Sequence, residues 1–147
     1  MTLQIIRRTI MLSAICLFPF LGVCQKSIDW KTLSDVTFKQ EYVKEFDGYF
    51  QIPTFGASVK ELKDKEVIIT GYVLALDKAK NLYMLSKNPM ASCFFCGGGG
   101  PETIMEVNFK SNIDYETDDI ATLKGTLVLN KDDVNHTNYM LIDAVGF

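Results

Sequence analysis

Apolar and polar residues alternate along the C-terminal half of the chain in a pattern that reads as strands. The first is the run EVIITGYVLALD at 66–77, with Gly71 inside it. β-Branched residues at this density favour an extended backbone, and a glycine in a strand interior marks a bulge or a sharp bend. A polar turn at 78–81 separates this run from a second strand at 82–86. A third follows at 103–109, where Ile104, Glu106 and Asn108 alternate with Met105, Val107 and Phe109. An acidic, irregular stretch at 113–120 leads to a fourth strand, 123–129, with Gly125 inside it. Beyond the polar segment 131–136 lies a fifth, 138–144.

Upstream the texture differs. Residues 27–54 are rich in aromatics: Trp30, Phe38, Tyr42, Phe46, Tyr49 and Phe50. Residues 36–42 and 49–52 read as short extended pieces, the second closed by Pro53. The segment is expected to form an arm packed on the main domain, its aromatics entering the core rather than making a ligand platform. Ser58 with Glu61 three residues later carries a capping-box signature and opens a short helix with Val59 and Leu62 on its apolar side.

Five strands with bends at Gly71 and Gly125 predict a small closed barrel, with an open antiparallel sandwich as the alternative. Residues 65–73 look like the opening strand of an OB-fold and 123–128 like its fourth. In that fold the bent first strand serves both half-sheets. The expected fold class is therefore mainly β: a small five-stranded OB-like barrel with a short helix and an N-terminal arm. The expected divisions are 1–24, 25–57 and 58–147.

The first division has the pattern of a signal peptide. Arg7 and Arg8 are the only charges before Lys26, and an uncharged apolar run follows them. That run is short for a bilayer span, which takes roughly 20 residues, and suits an exported chain cut before Gln25. Leu21-Gly22-Val23-Cys24 also approaches a lipobox, which makes Cys24 the alternative as a lipid anchor; an uncleaved anchor is a further alternative. Removing Arg7 and Arg8 takes the formal charge from −3 to −5. An acidic chain repels phosphate backbones, so nucleic acid is not an expected partner. No later segment is apolar over a membrane-spanning length.

Export also changes the cysteine count, since Cys16 and Cys24 leave and Cys93 and Cys96 remain. Two thiols at this spacing in an oxidising compartment read as a disulfide or as a metal pair. The stretch is Cys93-Phe-Phe-Cys96 followed by Gly97 to Gly100. Glycine after such a pair lets amides turn toward thiolates, the form of half a zinc-ribbon or rubredoxin-like knuckle. Zinc needs four ligands, and no second pair exists. With strands three and five parallel, the loop holding the cysteines and the loop holding His136 emerge together. The candidate set is therefore Cys93, Cys96 and His136, with Glu102, Asp132 or Asp133 as the fourth; two copies of the chain could instead pool their cysteines in a homodimer. Met84, Met90, Met105 and Met140 are candidates for a softer copper site, against the reading that they fill the core. Thiol redox catalysis wants a cysteine at a helix N-terminus, which glycines following Cys96 do not offer. The single histidine and the lack of a base–nucleophile pair leave hydrolysis without machinery.

The run from Leu85 through Ser86-Lys-Asn-Pro-Met-Ala-Ser to Cys93-Phe-Phe-Cys96-Gly, then Gly100-Pro-Glu-Thr103, resembles a group of small uncharacterised exported proteins of Gram-negative bacteria. The resemblance spans about Leu62 to Ala144 and implies an OB-like barrel with a Cys-x-x-Cys-Gly loop. The group is distantly similar to periplasmic proteins encoded beside metal-linked transport systems. Those carry a Cys, a His and a proline run in the equivalent loop, where this chain has Cys96 and glycines.

The expected function is binding rather than catalysis, by an exported, periplasmic envelope accessory protein. The first form is metal handling, zinc or copper, at Cys93 and Cys96. The second is a protein-interaction module stabilised by a Cys93–Cys96 disulfide, its partner an envelope protein. The third is a thiol redox protein.

Overall fold

The computed structural model describes residues 26–111 and 113–146; the expected signal peptide, with Cys16 and Cys24, lies outside them. In chain order the elements are β1 (Lys26–Ser27), α1 (Trp30–Leu33), β2 (Val36–Val43), β3 (Gly48–Phe55), α2 (Ala57–Lys60), β4 (Glu66–Asp77), β5 (Leu82–Ser86), β6 (Ile104–Phe109), β7 (Ile120–Leu129) and β8 (Tyr139–Gly146).

Five of these strands close into a barrel. The order is β4-β5-β6-β8-β7, and β7 returns to pair with β4. All neighbours are antiparallel except β6 and β8, which run parallel. This is the strand order of an OB-type barrel, as the sequence pattern implied. Closure removes the open edges that a sheet otherwise presents.

The long strand β4 supplies the bend. Its residues up to Tyr72 pair with β7, and from Tyr72 onward they pair with β5. The change of partner falls beside Gly71, where a Cβ would lie 2.6 Å from the Ser86 carbonyl oxygen. Gly125 answers a different need. Opposite it, β8 carries one extra residue relative to both β6 and β7. That bulge includes Asp143 with φ of 54°, and a Cβ on Gly125 would meet the Ile142 carbonyl oxygen at 2.8 Å. Alternate residues Val67, Ile69 and Val73 of β4 point inward, with Leu85, Met105, Val107, Leu123, Leu127 and Leu141 from the other strands.

The arm is part of this core. Ile28 N donates to Ile68 O at 2.9 Å, extending the parallel β1–β4 pairing, and the Trp30 indole donates to Thr70 O at 2.8 Å. Leu33, Phe55, Val59 and Leu62 are buried with the barrel residues. The helix α2 begins differently from the expected capping box. Its N-cap is Gly56, and the cap comes from elsewhere in the chain: Asp35 Oδ2 accepts hydrogen bonds from the Ser58 amide and hydroxyl. Glu61 lies at its C-cap.

β2 and β3 form a separate two-stranded ribbon, paired from Val36↔Phe55 to Val43↔Gly48. Its base is anchored by Phe55 and Val36 in the core. Towards its turn the ribbon leaves the barrel surface, and Tyr42, Phe46 and Tyr49 are exposed. The aromatics of the arm thus divide: Trp30 packs on the core, whereas these three do not. Pro53, expected to end a strand, lies within β3, which runs on to Phe55. A proline is tolerated there because a ribbon strand has one edge outside the ladder. Among the described residues no helix is long and apolar enough to cross a membrane.

Candidate functional site

The parallel pairing of β6 and β8 sets their first residues side by side, so the loops that lead into them leave the same end of the barrel. These are 87–103, with both cysteines, and 130–138, with His136.

The cysteine loop is a chain of short turns, Met90–Ser92, Phe94–Cys96 and Pro101–Thr103. Its neck is closed by Lys87 N donating to Thr103 O at 2.9 Å. Asn88 Nδ2 holds Gly98 O at 3.1 Å across the loop. Asp118, in the acidic stretch between β6 and β7, accepts from Met90 N at 2.6 Å. That stretch also binds Lys78 through Asp114 and Glu116, so its carboxylates act as ties for neighbouring turns.

Beneath the loop lies a second, smaller apolar cluster. Leu74, Met84 and Ile104, on β4, β5 and β6, are buried with Cys93 and packed against Met90 and Phe94. Cys93 is fully buried, and Cys96 is exposed. Met84 and Met90 pack here and Met105 sits in the main core, which fits the filling role of methionine.

Cys93 and Cys96 approach to 4.2 Å and are free thiols. The amides around them do not face sulfur as the knuckle pattern required. Cys96 N and Gly98 N both donate to Cys93 O at 3.0 Å, and Gly97 N donates to Phe94 O at 3.0 Å. Gly97 takes φ of 78° to end the turn, a left-handed conformation that glycine adopts without strain. The Cys96 thiol donates to Met90 O at 3.3 Å. Its pKa is raised, first by loss of surrounding water and then by the Cys93 sulfur. Cys93 caps only the single helical turn Phe94–Cys96, and three residues build too small a dipole to oppose that shift.

The other predicted ligands turn elsewhere. His136 Nδ1 lies 2.8 Å from Glu106 Oε2, and its Nε2 lies 3.9 Å from Asp133 Oδ2. The hydrogen bond and charge of Glu106 raise the His136 pKa above its ordinary value, with a smaller contribution from Asp133. Glu102 folds back over Gly100 in its own turn. Among the described residues, no three His, Cys, Asp or Glu side chains converge where a metal ion would sit. The chain therefore brings the two cysteines together without gathering His136 and Glu102 around them.

What the loops do enclose is a cleft of about 400 Å³. One wall is the run 49–52 of β3; the second is Phe94, Phe95 and Pro101; the third is the loop from Lys131 to Asn138. Met84, Ile104 and Glu106 form the floor. Glu106 is only 8% exposed. It shares a face of β6 with Ile104, and that face points away from the barrel core, towards the loops. The alternation at 104, 106 and 108 marked this face in the sequence, but nothing local said that loops would cover it. Tyr49 and Phe50 likewise read as core and instead line the cleft. Comparison with protein-family models, curated proteins and solved structures finds no match to this chain.

Proposed function

We propose that this protein is an exported binding module of the cell envelope, with a ligand cleft whose wall is fixed by a Cys93–Cys96 disulfide. One observation carries the reading. Phe94 and Phe95 are the two residues between the cysteines, and both line the cleft. Joining the sulfurs restricts the backbone of this aromatic wall and little else.

The geometry suits such a bond. Cys96 N hydrogen-bonds to Cys93 O, so the residues span a tight turn with Cα atoms within about 7 Å, the range that disulfides bridge. Side-chain rotation then closes the 4.2 Å gap. An external disulfide is the oxidant: Cys96 attacks it, releasing one thiol and forming a mixed disulfide, and Cys93 then attacks the Cys96 sulfur and expels the second thiol. The two thiols lose two electrons and two protons to a partner that leaves as two thiols. The raised Cys96 pKa disfavours repeated turnover, so the bond serves structure rather than redox catalysis. Support for export comes from the charged and apolar pattern at 1–24, and for an interaction role from a cleft of the size that ligands occupy.

Zinc or copper handling uses the same two sulfurs and needs further ligands, such as those of a second copy. Mass spectrometry of protein isolated from its native compartment, with thiol alkylation before and after reduction, separates these states. The expected product resists alkylation until reduced, weighs two hydrogens less than the dithiol and carries no stoichiometric metal by elemental analysis. Two freely alkylated cysteines, or one equivalent of zinc or copper, would overturn the proposal.

A further inference from the structure

We propose that the cleft takes an extended peptide segment, laid along the open edge of β3, with a lysine or arginine side chain reaching down to Glu106. This rests on the binding-module reading and names its partner class.

The first part of the case is the wall at β3. Tyr49, Phe50, Gln51 and Ile52 are consecutive, and all four line the cleft. Side chains alternate between the two faces of a strand, so four successive lining residues mean that the strand's edge runs beside the cleft. β2 is the one sheet neighbour of β3 among the described residues. Pro53 sits within β3, and a proline fits a ribbon when its nitrogen faces away from the ladder. With a period of two, the amides of Gln51 and Tyr49 share that outward side. An edge of this kind, with backbone donors and acceptors unspent, is what an added strand pairs with. The barrel itself offers no such edge because it is closed.

The second part is the floor. Glu106 is the one carboxylate there, nine-tenths buried, between Met84 and Ile104. One of its oxygens holds His136 Nδ1. The other has no hydrogen-bond partner among the described residues, and it is not sealed from solvent. A carboxylate in this position accepts hydrogen bonds and donates none, so the complementary ligand group is a cation or an N–H donor. The surroundings suit a long basic side chain. Met84, Ile104 and Phe94 can cover its methylene stem, and the rings of Phe95 and Tyr49 can present their faces to its charge.

The remaining charges around the pair are Asp133 on the loop of His136 and Lys131 at the start of that loop. A proton on His136 neutralises Glu106 and competes with the incoming cation. Binding of a basic side chain therefore weakens as pH falls through the His136 titration.

The test uses the mature protein and three acetylated, amidated seven-residue peptides of alternating valine and threonine, with lysine, norleucine or glutamate at the centre. Affinities are measured by calorimetry at pH 8 on the oxidised and the reduced protein. The lysine peptide is expected to bind at least about tenfold more tightly than the norleucine peptide, and the glutamate peptide more weakly than both. Amides of Tyr49 and Gln51 are expected to gain protection from hydrogen exchange in the complex. Glu106→Gln should bring lysine and norleucine peptides to about equal affinity. That substitution also alters the floor, so the wild-type protein supplies a second reading: its lysine preference should shrink between pH 8 and pH 5.5.

Equal affinities for lysine and norleucine in the wild type would overturn the basic-side-chain assignment while leaving a binding module. Acetyl-lysine amide binding as tightly as the peptide would show a small-amine site and remove the strand-addition part. Failure of every peptide to bind at millimolar concentration would overturn the whole inference. The alkylation result on Cys93 and Cys96 is independent of all three outcomes.

Discussion

The hydroxyl of Tyr139 donates a hydrogen bond to the carbonyl oxygen of Leu33 at 2.7 Å, in a position where neither residue is exposed. It ties the last barrel strand to the first helix of the arm, and the Tyr139 ring also packs on Phe55 at 5.6 Å between centroids. Tyr139→Phe keeps the ring and leaves the Leu33 carbonyl without its partner. The expected loss is about 1–3 kcal/mol in a urea titration at pH 7. Burial, and then the charges of Glu102 and Asp35, push the Tyr139 pKa well above its ordinary value. The unfolded phenol ionises near pH 10, so the stability linked to Tyr139 is complete below that pH and is lost as pH rises beyond it. The wild type should therefore show a steeper alkaline decline than the Phe variant.

Gly71 stands where β4 changes partner, and any Cβ there meets the Ser86 carbonyl oxygen at 2.6 Å, Leu85 Cγ at 3.0 Å and Trp30 Cζ2 at 3.1 Å. Gly71→Ala must move backbone, a buried leucine or the half-buried Trp30 ring. The expected destabilisation is about 1–3 kcal/mol, with the denaturant m-value unchanged. A neutral substitution would mean that the bend has slack that the packing does not suggest.

The barrel was legible because its information is local. Alternation from Glu66 to Asp77 and the glycines at 71 and 125 marked strands and their irregular points without reference to distant residues. The parallel β6–β8 pairing then followed from the strand order. The ribbon was only half legible: its strands were visible, but Pro53 read as a terminator because sequence does not reveal which edge of a strand is free. The cap of α2 was misassigned to Glu61 for a related reason. The carboxylate that serves Ser58 is Asp35, 23 residues upstream, and no spacing rule reaches that far. The site divides in the same way. Cys93 and Cys96 announce themselves by spacing, whereas Glu106 becomes a floor residue only when two loops fold over the outer face of β6.

Asp35 gives an acid-side prediction. Hydrogen bonds from the Ser58 hydroxyl and amide lower its pKa, with Lys60 adding a smaller effect. A depressed folded pKa stabilises the protein above the unfolded carboxylate value, near pH 4, and the gain is lost as pH falls through the folded value. Asp35→Ala should lower the thermal midpoint at pH 7 and flatten the dependence on pH below 4. Parallel melting curves for both proteins from pH 2.5 to 7 read the difference.

His136 is the single histidine of the chain, so its ring protons report one titration. Glu106 raises its pKa through the hydrogen bond and charge. The NMR midpoint should lie above about 6.5 in the wild type and fall towards that value in Glu106→Gln. The sign for stability is opposite to that of Asp35. A raised folded value means that the contribution is present below about pH 6.5 and is lost as pH rises through the folded pKa. His136→Gln should therefore reduce stability at pH 5.5 more than at pH 8.

The proposed Cys93–Cys96 bond closes a loop of only four residues, which limits what it can contribute. Chain-entropy reasoning gives about 2 kcal/mol at most for a loop this short. The small ring also confines the effect to its neighbours. Reduction should lower global stability by no more than that amount, seen as a modest shift in the urea midpoint. It should act more strongly on the wall of the cleft, speeding amide exchange at Phe94, Phe95 and Gly97 while leaving β4 and β7 unchanged. The same treatment applied to Cys93→Ala/Cys96→Ala should do nothing. If reduction instead loosened the whole barrel, the bond would be carrying the fold rather than shaping the site. If it left the loop amides unaltered, the turn hydrogen bonds to Cys93 O and Phe94 O would be sufficient to hold the aromatic wall alone.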